Sequence, residues 1–182
     1  MTDFNRIKIC KTATQRSIMD VTSALNYHKE KEDGEKVYKG NLAFSITDRA
    51  NKKYEKAFLS KAATKVLMYS IIQHTFPNLF KNGFVEYGGS KKDGTIRARV
   101  FSVKIDDKKR FIFQIDEGAG KLGPNGSIQM ANKEKTVQTY VSYDEAQKMA
   151  HEVYDYIKLE ETMAFLKGNP YFTIQADRYK ED

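Results

Sequence analysis

The sequence predicts an α+β protein in which a sheet-then-helix unit occurs twice. Three observations predict it. Apolar residues alternate with period two over residues 36–46, 53–59, 95–105 and 110–116, with turn residues between the runs. Two further segments carry apolar stripes at helical spacing, each opened by a serine in capping position. The 182 residues are 40% apolar and include eleven Phe and eleven Tyr, enough material for one sizeable core.

Taken in order, residues 1–33 read as a separate opening segment. Within it Ile7, Ile9 and Cys10 suit a short strand, Ser17 to Leu25 a short helix, and the charge run from His28 to Gly34 a solvated loop. Lys36 to Ile46 alternates as a strand, with Tyr38, Leu42, Phe44 and Ile46 on one side of the pleat. Asp48 to Lys52 has turn chemistry, and Lys53 to Leu59 returns as a strand. The Ser60 hydroxyl then fits an N-cap before a stripe of Ala62, Ala63, Val66, Leu67, Ser70 and Ile71, and Pro77 falls after that helix has ended. Thr95 to Ile105 forms another strand, Asp106 to Lys109 a turn, and Arg110 to Asp116 its partner strand. The glycine-rich run from Gly118 to Gly126 reads as a mobile hairpin connection, followed by strands at Ser127–Ala131 and Thr136–Val141. Ser142-Tyr-Asp-Glu145 matches a capping box, and Ala146, Met149, Ala150, Val153 and Ile157 stripe a longer second helix.

The halves align with each other. Leu-Ala-Phe44-Ser-Ile matches Arg-Val-Phe101-Ser-Val at an offset of 57, and Phe-Leu-Ser60 matches Tyr-Val-Ser142 at an offset of 82. The difference assigns about 25 extra residues to the region of the glycine run. The resulting organisation is a domain over residues 34–166, an N-terminal segment 1–33 and a C-terminal tail 167–182.

Charge narrows the function. Lys and Arg number 31 against 24 Asp and Glu, a formal charge of +7, which favours polyanionic partners, nucleic acid before anionic membrane. No apolar run approaches the ~20 residues of a membrane span, and the first residues are polar, so neither secretion nor insertion is expected. A single cysteine, Cys10, excludes an internal disulfide and fits a reducing, cytoplasmic compartment.

Catalytic signatures are missing. His28, His74 and His151 are far apart and lack zinc-ligand spacing, Cys10 has no nucleophile motif, and the adjacent acids Asp106-Asp107, Asp116-Glu117 and Glu160-Glu161 sit where carboxylates are ordinarily solvated. The glycine run departs from a Walker loop because Lys121 is followed by Leu122 and no helix comes next. No enzyme, metal or cofactor is expected, although Lys121 and the amides around it remain able to touch a phosphate.

The strands carry the stronger signal. Lys39, Arg97, Arg99, Lys104 and Arg110 are interleaved with Tyr38, Tyr54, Phe58, Phe101, Phe111, Phe113 and Tyr140. Cations that follow phosphates beside rings that stack on bases are what a single-strand binder needs. Alternating rings equally build a core, and about half of them are expected to be buried. Arg97 and Arg99 share a pleat side with Phe101, so that strand either changes its facing along its length or presents an aromatic-basic face. The reading takes Lys39, Arg97, Arg99, Lys104 and Arg110 as phosphate contacts and Tyr38, Tyr54, Phe101 and Phe111 as stacking rings.

Val37-Tyr-Lys-Gly-Asn-Leu-Ala-Phe-Ser-Ile46 resembles the Val-Tyr-Lys-Gly-Lys-Ala-Ala-Leu-Ser-Val type of first strand found in the Whirly family of single-stranded DNA-binding proteins. The similarity runs on through Lys56-Ala-Phe-Leu-Ser60, and resumes at Arg99–Ile105 and Tyr140–Ser142. It implies two antiparallel four-stranded sheets packed at an angle, each followed by a helix, with the helices joining subunits into a homo-oligomer, a tetramer by preference. It also implies binding of single-stranded nucleic acid along the sheets, with DNA favoured over RNA and little sequence preference. Tyr38, Lys39 and Gly40 carry over from the motif. Asn41 replaces a lysine that the family associates with higher assembly, so assembly beyond a tetramer is not implied. The absence of a plant-type transit peptide suggests a bacterial, phage or otherwise non-organellar relative. Two alternatives stay open at this stage: an RNA-binding protein, and a regulatory module whose basic surface meets an acidic protein, using the glycine run or the aromatic tail from Phe165 to Tyr179. Tyr154, Tyr156, Leu159 and Met163 on the second helix suggest burial against another copy.

Overall fold

The computed structural model describes residues 7–25, 28–30, 34, 36–38, 40–92 and 94–168. The chain opens with β1 (Lys8–Ala13) and β2 (Ser17–Ala24), continues through a two-stranded ribbon of β3 (His28–Glu30) and β4 (Lys36–Tyr38), and returns as β5 (Asn41–Asp48) and β6 (Lys53–Ser60). Strands β1, β2, β5 and β6 form the first antiparallel sheet in that order. Helix α1 (Lys61–Ile72) and the short α2 (Phe76–Leu79) follow. A second meander then builds the second antiparallel sheet from β7 (Phe84–Lys92), β8 (Thr95–Ile105), β9 (Phe111–Leu122) and β10 (Ile128–Val141), and α3 (Tyr143–Leu166) closes the unit. The α+β class and the two sheet-then-helix units are those the sequence predicts.

Several elements differ from the sequence reading, each for a physical reason. The segment expected as a helix over Ser17 to Leu25 is instead the strand Ser17–Ala24. Neighbours on both sides, β1 and β5, satisfy its backbone, and Ser17, Met19 and Val21 are buried in alternation. Local periodicity carries no trace of those partners, and through them the opening residues supply two of the four strands of the first sheet. His28 to Glu30 is not a loop but pairs with β4. The expected strand 36–46 is two strands, broken at Gly40, whose φ of 57° turns the chain out of the ribbon and into β5.

The glycine run is mostly strand. β9 extends to Leu122, and the turn is confined to the residues between Leu122 and Ile128, where Gly126 has a φ of 75°. Gly118 serves close approach rather than a turn: a Cβ there would lie 2.0 Å from the Asn132 carbonyl oxygen. β10 accommodates this contact with two register shifts, between Met130 and Asn132 and between Lys133 and Lys135. β7 went unread because its Gly88-Gly89 pair interrupts the alternation. A Cβ at Gly89 would lie 2.4 Å from the Arg97 carbonyl oxygen of β8 and 2.7 Å from the Ile128 side chain.

The internal alignment is half right. Ser60 ends the fourth strand of its sheet and Ser142 directly follows the fourth strand of the other, but in chain order Phe44 lies on the third strand of the first sheet and Phe101 on the second strand of the other. They are not equivalent positions. They meet across the core as a tilted pair, ring centroids 5.0 Å apart and planes at 49°.

Both serine caps form: Ser60 Oγ accepts from the Ala63 amide at 3.1 Å, and Ser142 Oγ from the Glu145 amide at 3.3 Å. The Glu145 carboxylate pairs with Lys148 at 2.7 Å instead of reaching back to the cap. The α3 stripe is buried as expected. In α1 the buried face is Lys61, Thr64, Leu67, Met68, Ser70 and Ile71, so Ala62 and Val66 turn outward. Lys61 tolerates burial because Glu161 of α3 lies 3.1 Å from its ammonium, and the same carboxylate takes Lys65 at 2.8 Å. Burial pushes the Glu161 carboxyl up, but hydrogen bonds from Lys65 and Lys61 outweigh it and hold the group below its ordinary value.

Two outcomes follow for stability. Gly118→Ala should lose about 1–3 kcal/mol in chemical denaturation, because a methyl group would displace the β10 backbone. Unchanged stability would show that the bulge yields freely. Glu161→Gln should cost about 1–2 kcal/mol at neutral pH. Since the folded carboxyl titrates below the unfolded one, that deficit is fully present above the unfolded pKa and closes as acidification passes through the folded one. Unfolding curves of both proteins across the acid range check it.

Candidate nucleic-acid interface

Pleat parity and the core decide which rings remain available. Phe101 is 1% exposed and Phe111 fully buried, as is Phe113. The stacking role read for Phe101 and Phe111 is therefore corrected: both are core, pinned by contacts with Phe44, Phe76 and Tyr143 at 5.0–5.5 Å. Tyr54, Phe58 and Tyr140 stay outside, so the rings with described side chains divide evenly, three buried and three exposed.

Tyr54 and Phe58 lie on β6, an edge strand. Glu55, Ala57 and Leu59 face inward there, which turns Tyr54, Lys56 and Phe58 to the outer face. Same-face residues on a strand stand ~6.5–7 Å apart, so the edge presents ring, cation and ring in regular succession. Tyr54 is 48% and Phe58 45% exposed, and the Lys56 ammonium stands 5.9 Å over the Tyr54 ring. The β5 residues opposite them on this face, Thr47, Ser45 and Ala43, are small. The sequence reading left Lys56 out of its cations, although its shared parity with Tyr54 and Phe58 was legible. It also missed Tyr87, 68% exposed on the edge strand β7, because that strand went unread.

The predicted cations do not converge on one site. Arg97 and Arg99 share the inner pleat side with Phe101, and the strand keeps its facing: the surface it packs against changes from rings to ions. Arg97 bonds Glu117 at 2.8 Å and Glu134 at 2.8 Å, and these two hydrogen bonds push its guanidinium pKa up, Glu117 contributing most. Arg99 lies 3.7 Å from Glu55 and 4.0 Å from Glu117, and its Nε is buried without a hydrogen bond. Carboxylates of the protein therefore stand beside both of the arginines read as phosphate contacts, and each side chain keeps about a third of its surface exposed. Arg110 donates twice to Asp106, at 2.9 and 2.7 Å, and its guanidinium lies 4.7 Å over Tyr140. Asp106 is held below the usual carboxylate range, chiefly by the Arg110 amide.

Lys104 and Lys121 are exposed. Lys104 lies on the face opposite Phe101, its stem packed over Gly83, beside a groove lined by Phe76, Pro77, Phe80 and Lys81. Seven positions separate it from Arg97, ~23 Å along the strand, so the two could not hold adjacent phosphates. Lys121 pairs with Gln129 near the hairpin tip. Gly40 is structural, its carbonyl accepting from the first amide of α1 at 3.0 Å. Lys39 and the side chain of Tyr38 lie outside the described residues, as does the aromatic tail beyond residue 168.

Burial pushes the Cys10 thiol up to about 12, with help from the charge of Glu152, which suppresses the nucleophilic thiolate. Among the described residues no three His, Cys, Asp or Glu side chains gather as metal ligands, and no helix is long and apolar enough to cross a membrane.

The architecture has solved counterparts. The plant transcriptional regulator PBF-2 superposes with a TM-score of 0.58 at 12% identity, over 93% of this chain and 91% of that one. WHY3 from Arabidopsis thaliana gives 0.50 at 12% identity, covering 94% and 96%. WHY1 from Arabidopsis thaliana gives 0.50 at 8% identity, covering 84% and 88%. All three are Whirly structures, and the chain has the Whirly fold over most of its length. No protein-family model matches the sequence, and no curated protein does.

Proposed function

We propose that this Whirly-fold protein is a non-enzymatic binder of single-stranded nucleic acid, DNA before RNA, with little dependence on sequence. The observation that carries the reading is the outward-facing alternation of exposed Tyr54, half-buried Lys56 and exposed Phe58 on an edge strand. Flat rings accept any base, and a cation between them meets the phosphate that joins two stacked nucleotides. Lys56 therefore replaces the arginines of β8 as the nearest phosphate partner, with Lys104 and Lys121 as outlying contacts. The +7 charge supports the class of partner, and the sequence resemblance at residues 37–46 points the same way.

The protein is also proposed to act as a homo-oligomer, a tetramer by preference, joined through its helices. Val66 and Tyr69 of α1 are half-exposed, Leu159 of α3 is more so, and Tyr69 meets Tyr154 at 6.0 Å, so the two helices present a shared outer surface. Light scattering after gel filtration should give a multiple of the 20.9 kDa chain. Leu159→Glu should lower that mass, and a wild-type monomer would remove this part of the proposal.

The chain has no tryptophan, so Tyr54→Trp and Phe58→Trp each provide a single fluorophore at the proposed site. Both should be quenched by a single-stranded oligonucleotide. Tyr54→Ala and Phe58→Ala should each weaken binding by about 1–3 kcal/mol. Lys56→Met should flatten the dependence of log affinity on log salt by about 0.7, whereas Arg97→Met should leave that slope unchanged. Parallel titrations with RNA and duplex DNA set the preference. Binding insensitive to salt, or tryptophans blind to the ligand, would refute the mechanism.

A further inference from the structure

We infer that Lys135, which lies across the core on the other sheet, is a positioning residue for the base-stacking edge. The inference rests on the reading of Tyr54 and Phe58 as stacking rings. Lys135 follows the second register shift of β10 and pairs there with Glu117 on the inner face of the second sheet. Its ammonium crosses to the first sheet, donating to the backbone carbonyl of Tyr54 at 2.7 Å and to the Glu55 carboxylate at 2.7 Å. Glu55 is buried, and its other oxygen lies 3.7 Å from Arg99 Nε, too far for a hydrogen bond. Lys135 is therefore the close charged partner of that carboxylate, and it grips the backbone of the residue that carries the exposed ring.

The second sheet's geometry places the lysine there. Gly118 lets β10 approach closely, and the extra residue at Glu134 restores Lys135 to the inner face. An edge strand has a neighbour on one side only, so a charged hydrogen bond to its carbonyl fixes what the sheet alone leaves loose. The lysine's head is engaged with the protein, and it contributes no phosphate contact of its own.

The test separates positioning from phosphate binding. Lys135→Met should weaken oligonucleotide affinity by about tenfold while leaving the salt slope unchanged, in contrast to Lys56→Met. Lys135→Arg should restore most of the loss. In the ligand-free protein, Lys135→Met should lower the fluorescence anisotropy of Tyr54→Trp and leave that of Phe58→Trp unaltered. If Lys135→Met does not fold, the Glu55→Gln, Lys135→Met double variant removes the stranded carboxylate and is read in the same way. A salt slope that falls as it does for Lys56→Met would make Lys135 a phosphate contact and overturn the inference, as would unchanged anisotropy at position 54. Failure of the parent protein to bind any oligonucleotide would instead refute the proposed function, and the ligand-free anisotropy would still decide whether Lys135 orders the edge.

Discussion

The packing of phenylalanines between the two sheets is the constraint on which the rest depends. Phe44 meets Phe101, Phe101 meets Phe84 and Phe113, and Phe111 meets Phe76 and Tyr143, so one connected group of rings joins both sheets, α2 and α3. Each such pair contributes about 0.5–1.5 kcal/mol beyond the area it buries. Because strand side chains alternate, placing these rings inside turns the opposite parity of β6 away from the core. Glu55, Ala57 and Leu59 face the core, and Tyr54, Lys56 and Phe58 have nowhere else to go. The exposed rings are a consequence of where the buried ones sit.

The inner face cannot be aromatic along its whole length. On β8 it runs from Val103 and Phe101 to Arg99 and Arg97, and its neighbours change with it, to Glu117 and Glu134 in the same sheet and Glu55 on the opposite one. Water reaches the side chains of this ionic layer, Arg97 keeping 33% and Arg99 32% of their surface exposed, which makes paired charge tolerable there. It also draws down the supply of cations. Arg97, Arg99, Arg110 and Lys135 all hold carboxylates within the protein. A basic composition therefore overstates the positive surface offered to a ligand, and the cations that matter are the ones that parity turns outward.

Much of this was legible in the sequence. The caps at Ser60 and Ser142, the strands at 53–59 and 95–105, and the α3 stripe follow from local rules, because their signals lie within a few residues of one another. The misread elements depend on partners remote in the chain. Ser17 to Ala24 is a strand because β1 and β5 flank it. A Cβ at Gly118 would meet the Asn132 backbone, and one at Gly89 the Arg97 carbonyl oxygen and the Ile128 side chain. The candidate surface divides the same way. Tyr54 is read as a stacking ring from alternation, and Phe58 and Lys56, which the sequence reading does not assign to the site, share its parity. Phe101 and Phe111 could not be told from surface rings, since a core ring and a stacking ring obey the same period on a single strand.

The exposed features then separate by chemistry. On α1 and α3 the outward side chains Val66, Tyr69, Leu159 and Met163 form a surface that a second apolar surface would cover. On β6 the outward apolar rings are interrupted by Lys56. That lysine opposes edge-to-edge pairing of like strands, because two copies would bring two ammonium groups together. It does nothing to deter a polyanion. An edge that served only to stay soluble would not keep two rings near half exposure on either side of the charge. An edge that served only to pair with another protein strand would not place the charge between them. Rings and cation together suit a ligand that is flat and anionic in alternation, which is the repeating chemistry of an unpaired nucleic-acid strand.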